Sequence, residues 1–329
     1  MTRRAARRWS VALALVLSLV GPAKAGHYIV AARAVVGSGF SRAVVVGPGL
    51  SRASTPTQLQ AQSYRLAMRG MVLTVDRSRR SVVISHDSVP DRMPAMTMPF
   101  EVRNARELSA LVPGAIVTFT LVVGSESAHI ERLTVIRYES AEQDPVTARR
   151  LRLLQDLTVA PVTRPAIGQT IPDFTLIDQA RAQVSVSHFL GKVVAVNFVY
   201  TSCVLPQFCY RLTNHFGVVA ERFKQRMGRD LVLLTITFDP SRDTPERLAE
   251  YSRQWNADPA VWHFLTGDSE TIARVCHQFG LDAFPDEGLI SHSTRTVIID
   301  RRGTLAASIE GNRHTAAQLG DLVAAVLSR

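Results

Sequence analysis

Residues 193–212 read VVAVNFVYTSCVLPQFCYRL, a largely apolar run followed by two cysteines and then a stretch of helical character. An apolar run of this length is typical of a strand that is buried on both faces of a sheet. Cys203 lies just past the carboxyl end of the strand and ahead of the helix. Reactive groups of open α/β sheets lie at this position, where the helix N-terminus favours a thiolate. The stretch therefore predicts an α/β fold with a sulfur site at the carboxyl end of a strand.

The same alternation of strands and helices continues to the end of the chain and predicts a central mixed sheet covered on both faces. The predicted elements are a helical stretch around 206–228, the strand LVLLTITF at 231–238, a helix at about 244–256, a strand near 261–265, a helix at 269–280, the strand TRTVIID at 294–300, the turn at 301–303, the strand LAASIE and a terminal helix from about 315.

The N-terminal half shows a different pattern, in which short β runs are separated by turn signals. The runs are MVLTVD, SVVISH, TMPFEV, AIVTFTLVV and HIERLTVIRY. Several short strands in about 70 residues indicate a small closed barrel. The predicted organisation is a signal peptide or anchor at 1–25, a flexible linker at 26–66, the barrel at 67–139, a Pro- and Arg-containing linker at 140–166 and the α/β domain at 167–329.

The first 25 residues have the composition of a secretory signal, with arginines, then the apolar stretch 11–20, then Ala23-Lys24-Ala25. The apolar stretch is shorter than the roughly 20 residues that span a bilayer. Export to the periplasm is expected, and both cleavage and retention as an inner-membrane anchor stay open. The net charge of +10 comes from 38 basic and 28 acidic residues. No basic stripe is interleaved with aromatics, so a nucleic-acid partner is not expected.

Soft metal ligands occur in two groups along the chain. The first comprises His86, Met93, Met96 and Met98, and the second comprises Cys203, Cys209 and His292. Thioether, thiolate and imidazole together select a soft ion such as Cu(I). In a strand, Met96 and Met98 share one face, although alternating core residues would show the same pattern. Six positions on a helix advance about 600°, so Cys203 and Cys209 cannot share a metal on one helix. A loop through Val204 and Leu205 is therefore predicted.

The segment SHDSVPDRMPAMTMPFEV at 85–102 resembles the CusF-like periplasmic Cu(I)/Ag(I)-binding barrels, whose pattern is H-D-x-I followed by W-P-x-M-T-M. The resemblance covers about 69–137. It implies an OB-like five-stranded barrel with His86, Met96 and Met98 as ligands. Met93 stands where the family has tryptophan, and the spacing from His86 is one residue shorter. The indole that would cap the metal through a cation–π interaction is therefore absent, and Met93 becomes a candidate fourth ligand instead.

Three segments in order are similar to the Sco/SenC family: NFVYTSCVLPQFCYRL, TITFDPSRDTPERLAEY and GLISHSTRTVIIDRRG. Members are thioredoxin-fold proteins implicated in copper delivery to, and thiol reduction at, the dinuclear copper centre of cytochrome c oxidase. The resemblance covers 167–329 and implies Cys203, Cys209 and His292 as copper ligands. The two cysteines would also form the redox pair. Five residues separate them here, a wider spacing than the common family pattern.

Other polar residues have simpler interpretations. Asp243 is interpreted as the cap of the following helix in preference to a metal ligand, and Asp239 as a candidate support of the cysteine site. Cys276 is interpreted as a small buried hydrophobe. The remaining histidines of the region are interpreted as surface or packed residues: His188, His215, His263, His277 and His314.

The sequence predicts an α/β thioredoxin-like domain preceded by a small all-β OB-like barrel. The leading functional hypothesis is an exported copper metallochaperone that delivers to a copper-centre subunit of cytochrome c oxidase or to another copper acceptor. Silver is a further candidate ion at the barrel site. The alternatives are a thiol-disulfide oxidoreductase, a copper or silver resistance or storage protein and, least favoured, a peroxidase.

Overall fold

The computed structural model describes residues 64–124, 127–136, 153, 164–281, 283–286 and 289–329. The predicted signal segment at 1–25 lies outside these residues, as do most of the two predicted linkers at 26–66 and 140–166. Within the described part of the chain, no helix has the length and apolar character needed to cross a bilayer.

The N-terminal part forms a five-stranded antiparallel sheet with strand order β3-β2-β1-β4-β5. Its strands are β1 (Tyr64–Asp76), β2 (Ser81–His86), β3 (Met96–Glu101), β4 (Ile116–Val123) and β5 (Ala128–Val135). Beyond β3, Val102 meets Ile130 of β5 in a single bridge, and no ladder joins the two edge strands. The all-β domain is confirmed, whereas closure into a barrel stays a prediction.

The C-terminal part contains a seven-stranded mixed sheet with strand order β14-β13-β8-β9-β10-β6-β7, beside a two-stranded hairpin of β11 and β12. β8, β9 and β10 run parallel, and the other neighbours pair antiparallel. The strands are β6 (Thr175–Asp178), β7 (Gln183–Ser185), β8 (Val193–Val199), β9 (Leu231–Thr237), β10 (Trp262–Thr266), β11 (Ala283–Asp286), β12 (Leu289–His292), β13 (Arg295–Ile299) and β14 (Leu305–Glu310).

Among the residues that the structure describes, the α-helices that cover this sheet are α1 (Cys209–Arg222), α2 (Pro245–Ser252), α3 (Ser269–Gln278) and α4 (Ala316–Leu327). Every residue of β8 and β9 is buried, so both faces of the central strands are covered, as the apolar runs predict. α1 begins at Cys209, three residues later than predicted, because residues 206–208 form a turn that precedes the helix. The thioredoxin-like α/β fold is confirmed.

The small sheet packs directly against α4. Asp321 of α4 accepts hydrogen bonds from the Ser85 and Thr97 hydroxyls at 2.8 Å each, and Arg222 of α1 donates to it at 2.7 Å. Met71 and Leu73 of β1 are buried in one hydrophobic cluster with residues of β8 and α4. The two sheets therefore share a buried contact that the sequence did not predict.

Candidate metal sites

Cys203, Cys209 and His292 meet at the carboxyl end of β8. Their ligand atoms, two sulfurs and one imidazole nitrogen, all lie within 4.8 Å of one another. Between the cysteines the chain leaves the strand through the exposed residues Val204 and Leu205, and Cys209 is the first residue of α1. Because this loop separates Cys203 from α1, the two sulfurs lie close together although the cysteines do not share a helix.

His292 ends β12, and backbone contacts define its tautomer. Its Nδ1 lies 2.9 Å from the Ser293 carbonyl, which can only accept, so Nδ1 carries the proton. The ring packs against Phe238 with centroids 4.7 Å apart. Nε2 is thereby left with a lone pair for the sulfur cluster, as a metal-binding imidazole requires.

The two thiols have opposite acidities. A hydrogen bond from Cys209 lowers the pKa of Cys203 to about 3, although partial burial opposes this shift. The pKa of Cys209 is raised, chiefly by that same hydrogen bond and by burial. Burial also raises the pKa of the neighbouring Tyr200 to about 12. Cys203 is therefore a half-exposed thiolate at neutral pH, and it is backed by a protonated, buried partner.

Asp243 does not cap the following helix, so that interpretation was wrong. The cap of α2 is Thr244, whose side chain accepts from the Arg247 backbone N–H. Asp243 is fully buried and accepts from the Thr201 N–H at 3.0 Å and from the Thr201 and Thr237 hydroxyls at 2.5 Å each. Its carboxylate therefore holds the chain two residues before Cys203. Thr201, just after β8, and Thr237, the last residue of β9, are the sequence signal that points to such an acceptor.

The predicted ligands of the small sheet fall on one face of β2 and β3. His86 is the direct antiparallel partner of Met96, and Met98 is opposite Ile84, two positions further along. Directly opposed side chains in a sheet have Cβ atoms about 5 Å apart, so His86 and Met96 can share an ion. Met98 is half-buried against the core of the sheet, whereas Met96 is exposed.

His86 repeats the arrangement seen at His292. Its Nδ1 lies 2.7 Å from the Asp87 carbonyl and therefore carries the proton. The Nε2 atom is buried and has no hydrogen-bond partner in the protein. Met93 pairs with Val89 at an isolated bridge in the loop between β2 and β3 and packs against the sheet core. An unpaired buried acceptor beside thioethers is the donor set that suits Cu(I).

Cys276, as expected, is buried and free, and burial raises the pKa of its thiol to about 12. Asp239 is also buried and accepts from the Ser241 hydroxyl, so its role at the cysteine site stays a prediction. The sequence did not single out Gln318 and Asp321 of α4, which contact the strands that carry the small-sheet ligands. An amide and a carboxylate on an otherwise apolar helix are a signal for such a contact.

A mixed sheet with two cysteines at a strand-to-helix turn and a histidine beside them defines a thioredoxin-like protein with a candidate Cys2His metal site. Residues 163–327 match the family model described as SCO1/SenC. The chain belongs to the SCO1/SenC family. Residues 66–135 match a second model, described as Copper binding periplasmic protein CusF.

Two curated relatives and one solved structure are similar to part of this chain. Protein sco1 of Schizosaccharomyces pombe is 29% identical over 156 residues, which cover 45% of this chain and 56% of the relative. A SCO2-like protein of Rickettsia typhi is 31% identical over 137 residues, which cover 40% of this chain and 64% of the relative. The chain thus spans less than two thirds of these relatives. The copper-bound crystal structure of Arabidopsis thaliana ScoI is similar with a TM-score of 0.43 and 25% identity, covering 50% of this chain and all of ScoI.

Proposed function

We propose that the chain is an exported copper metallochaperone with two copper sites, which supplies the dinuclear copper centre of cytochrome c oxidase or another copper acceptor. The observation that carries the proposal is the convergence of two sulfurs and an imidazole within 4.8 Å at Cys203, Cys209 and His292. The family membership and the match to the model described as Copper binding periplasmic protein CusF support copper as the ion.

The cysteine site has the chemistry of a tight but releasable copper site. Cys203 is a thiolate at neutral pH, so copper does not compete with a proton for it. His292 offers Nε2, since its Nδ1–H is donated to a carbonyl. Cys209 must lose its proton on binding, which makes uptake and release depend on pH. Cys203 is half-exposed, so an acceptor protein can reach the ion through it.

The small sheet supplies a second site with weaker ligands. Thioethers and one imidazole at His86, Met96 and Met98 carry no charge, so they hold Cu(I) or Ag(I) without proton release. Because both sites are on one chain, transfer from the thioethers to the thiolates is intramolecular and proceeds at high effective concentration. The signal-like N-terminus and the match to a model described as periplasmic support export.

Anaerobic Cu(I) titration of the reduced chain tests the proposal. Two equivalents are expected with high affinity, and alkylation of the cysteines removes one of them. His292→Ala is expected to weaken the thiol-dependent equivalent at least about tenfold while the small-sheet equivalent stays, and His188→Ala, a surface histidine, is the control. Unchanged affinity in His292→Ala would refute the Cys2His assignment.

A thiol-disulfide oxidoreductase is the second candidate, favoured by the low pKa of Cys203 beside a protonated Cys209. In that reaction the Cys203 thiolate attacks a partner disulfide and releases one partner thiol. Cys209 then loses its proton, attacks the mixed disulfide and releases the second thiol, which leaves a Cys203–Cys209 disulfide. His292→Ala separates the two functions, because it removes a metal ligand and leaves both sulfurs. Partner reduction that persists in this variant while copper binding fails would show that exchange is independent of the metal site.

A further inference from the structure

His215 and His314 form a buried imidazole pair outside both sites described above. His215 lies on α1 and His314 directly precedes the Thr315 cap of α4. Their ring centroids are 5.0 Å apart with an interplanar angle of 68°. His314 is completely buried and His215 nearly so, at 0% and 6% exposure.

The nitrogens of this pair lack hydrogen-bond partners. Both ring nitrogens of His314 and Nδ1 of His215 are buried with no partner in the protein. An unpaired buried polar group costs about 1–3 kcal/mol, so three such atoms in one ring pair form an uncompensated set of polar groups that a bound ion would relieve. Burial lowers the pKa of His215 to about 4 and that of His314 to about 3. Both rings are therefore neutral at physiological pH, which is the form that binds a metal.

The pair is connected to the cysteine site through α1 and the loop that precedes it. His215 lies six residues beyond Cys209 on the same helix, a rise of about 9 Å. Two residues before His314, the Asn312 side chain donates to the Gln207 carbonyl at 2.7 Å. The segment that carries His314 thus contacts the loop between the two cysteines.

The pair is also connected to the small-sheet site. The Arg313 carbonyl, next to His314, accepts from Arg69 at 3.0 Å. Arg69 in turn pairs at 2.8 Å with Asp87, the neighbour of His86. The buried histidines therefore lie where the small sheet meets the cysteine-bearing domain.

We propose that His215 and His314 form a third copper site, which binds Cu(I) through two imidazole nitrogens between the small-sheet and cysteine sites. The inference rests on the proposed function, since it takes copper to be the ion carried by this chain. Rotation about the Cβ–Cγ bond, which has a broad minimum, turns a nitrogen of one ring toward the other. Cu(I) accepts two ligands, whereas structural zinc takes four.

The surrounding charges make this a weak site. The guanidiniums of Arg211 and Arg69 act on His314, and that of Arg211 acts on His215. Two cations beside the pair repel a bound ion, so affinity at least about tenfold below that of the cysteine site is expected. Weak binding suits an intermediate position, because copper that arrives from the thioethers then moves on to the thiolates.

The test uses the full chain with two ligands removed from each of the other sites. The substitutions are Cys203→Ser, His292→Ala, His86→Ala and Met96→Leu. Anaerobic Cu(I) titration against a colorimetric chelator should then find one remaining equivalent, with nitrogen and no sulfur in its X-ray absorption spectrum. Adding His215→Leu and His314→Leu should remove that equivalent, and adding His188→Leu should leave it.

No remaining equivalent, or one that survives the two leucine substitutions, would overturn the third site. Leucine removes unpaired polar atoms, so folding is expected to persist, and circular dichroism checks it. An independent measurement uses the unsubstituted chain: the ring ¹⁵N signals of His215 and His314 should shift when a third equivalent of Ag(I) is added, and unshifted signals also overturn the site. Failure of the first two equivalents in the unsubstituted chain would instead count against the proposed function.

Discussion

Replacement of Asp321 by alanine is expected to weaken the contact between the small sheet and α4. The carboxylate accepts from Ser85, Thr97 and Arg222 at 2.7–2.8 Å. Hydrogen bonds to a charged group contribute about 1.5–3 kcal/mol each, but the two hydroxyls regain water once the carboxylate is gone. A loss of about 3 kcal/mol in the free energy of unfolding is therefore expected.

Urea unfolding followed by circular dichroism measures this loss, and Asp230→Ala is the matched control. Asp230 also contacts arginines, Arg226 and Arg229, and its side chain is 24% exposed against 22% for Asp321. It bonds no residue of the small sheet, so a much smaller loss than that of Asp321→Ala is expected. Equal losses in the two variants would refute the reasoning.

The stabilisation that Asp321 contributes depends on pH with a defined sign. Burial opposes ionisation of Asp321, but hydrogen bonds from Arg222, Ser85 and Thr97 prevail and lower its folded-state pKa below the ordinary value of an aspartate. A lowered pKa gives stabilisation that is complete above the unfolded value and is lost as pH falls through the folded value. The difference between the wild-type chain and Asp321→Ala should thus be constant from about pH 5 to 7 and decrease below about pH 4.

Three further predictions concern the sites themselves. Alkylation of metal-free, reduced Cys203 by iodoacetamide should keep its rate from about pH 8 down to about pH 5, because its pKa is about 3, while an ordinary thiol slows about tenfold per pH unit. Asp243→Asn should lower the free energy of unfolding in urea by about 3 kcal/mol and weaken Cu(I) binding at the cysteine site, because the amide nitrogen would face the Thr201 N–H or the Thr237 hydroxyl, which are donors. Unaltered stability would contradict the role of Asp243. Gly70→Ala should lower the free energy of unfolding by about 2 kcal/mol and reduce Cu(I) binding in the alkylated chain, because the added Cβ would lie 2.7 Å from the Ser85 carbonyl and 2.8 Å from the His86 Cα. The control is Gly124→Ala, whose added Cβ would lie 3.4 Å from its nearest atom and should leave stability unchanged.

The elements of the α/β domain could be predicted because their signals are local. β8 and β9 are apolar at almost every position, and helices α2, α3 and α4 each begin after a residue whose side chain caps the helix. The loop between the cysteines followed from helix geometry alone. Family motifs then indicated which cysteines and which histidine would meet.

Long-range contacts explain why the sequence did not predict the roles of Asp243, of the polar residues of α4 and of the buried histidines. Asp243 has the composition of a cap, but the neighbouring Thr244 supplies that function, and only the fold brings Thr201 and Thr237 within reach of the buried carboxylate. The polar side chains of α4 resemble ordinary solvent-exposed residues until β2 packs against them. His215 and His314 are about a hundred residues apart, so no local pattern predicts that their rings meet.

His86 and His292 each donate the Nδ1 proton to the carbonyl of the following residue. In this arrangement the main chain does what a carboxylate does in many metalloproteins, and it does so before any ion arrives. On the proposed route both Nδ1–H groups can stay bonded to their carbonyls, so handing copper from one imidazole to the other would require no relocation of an imidazole proton. In the proposed function, the proton that copper would displace at the cysteine site belongs to Cys209, so the acidity of that thiol would make transfer to this site depend on pH.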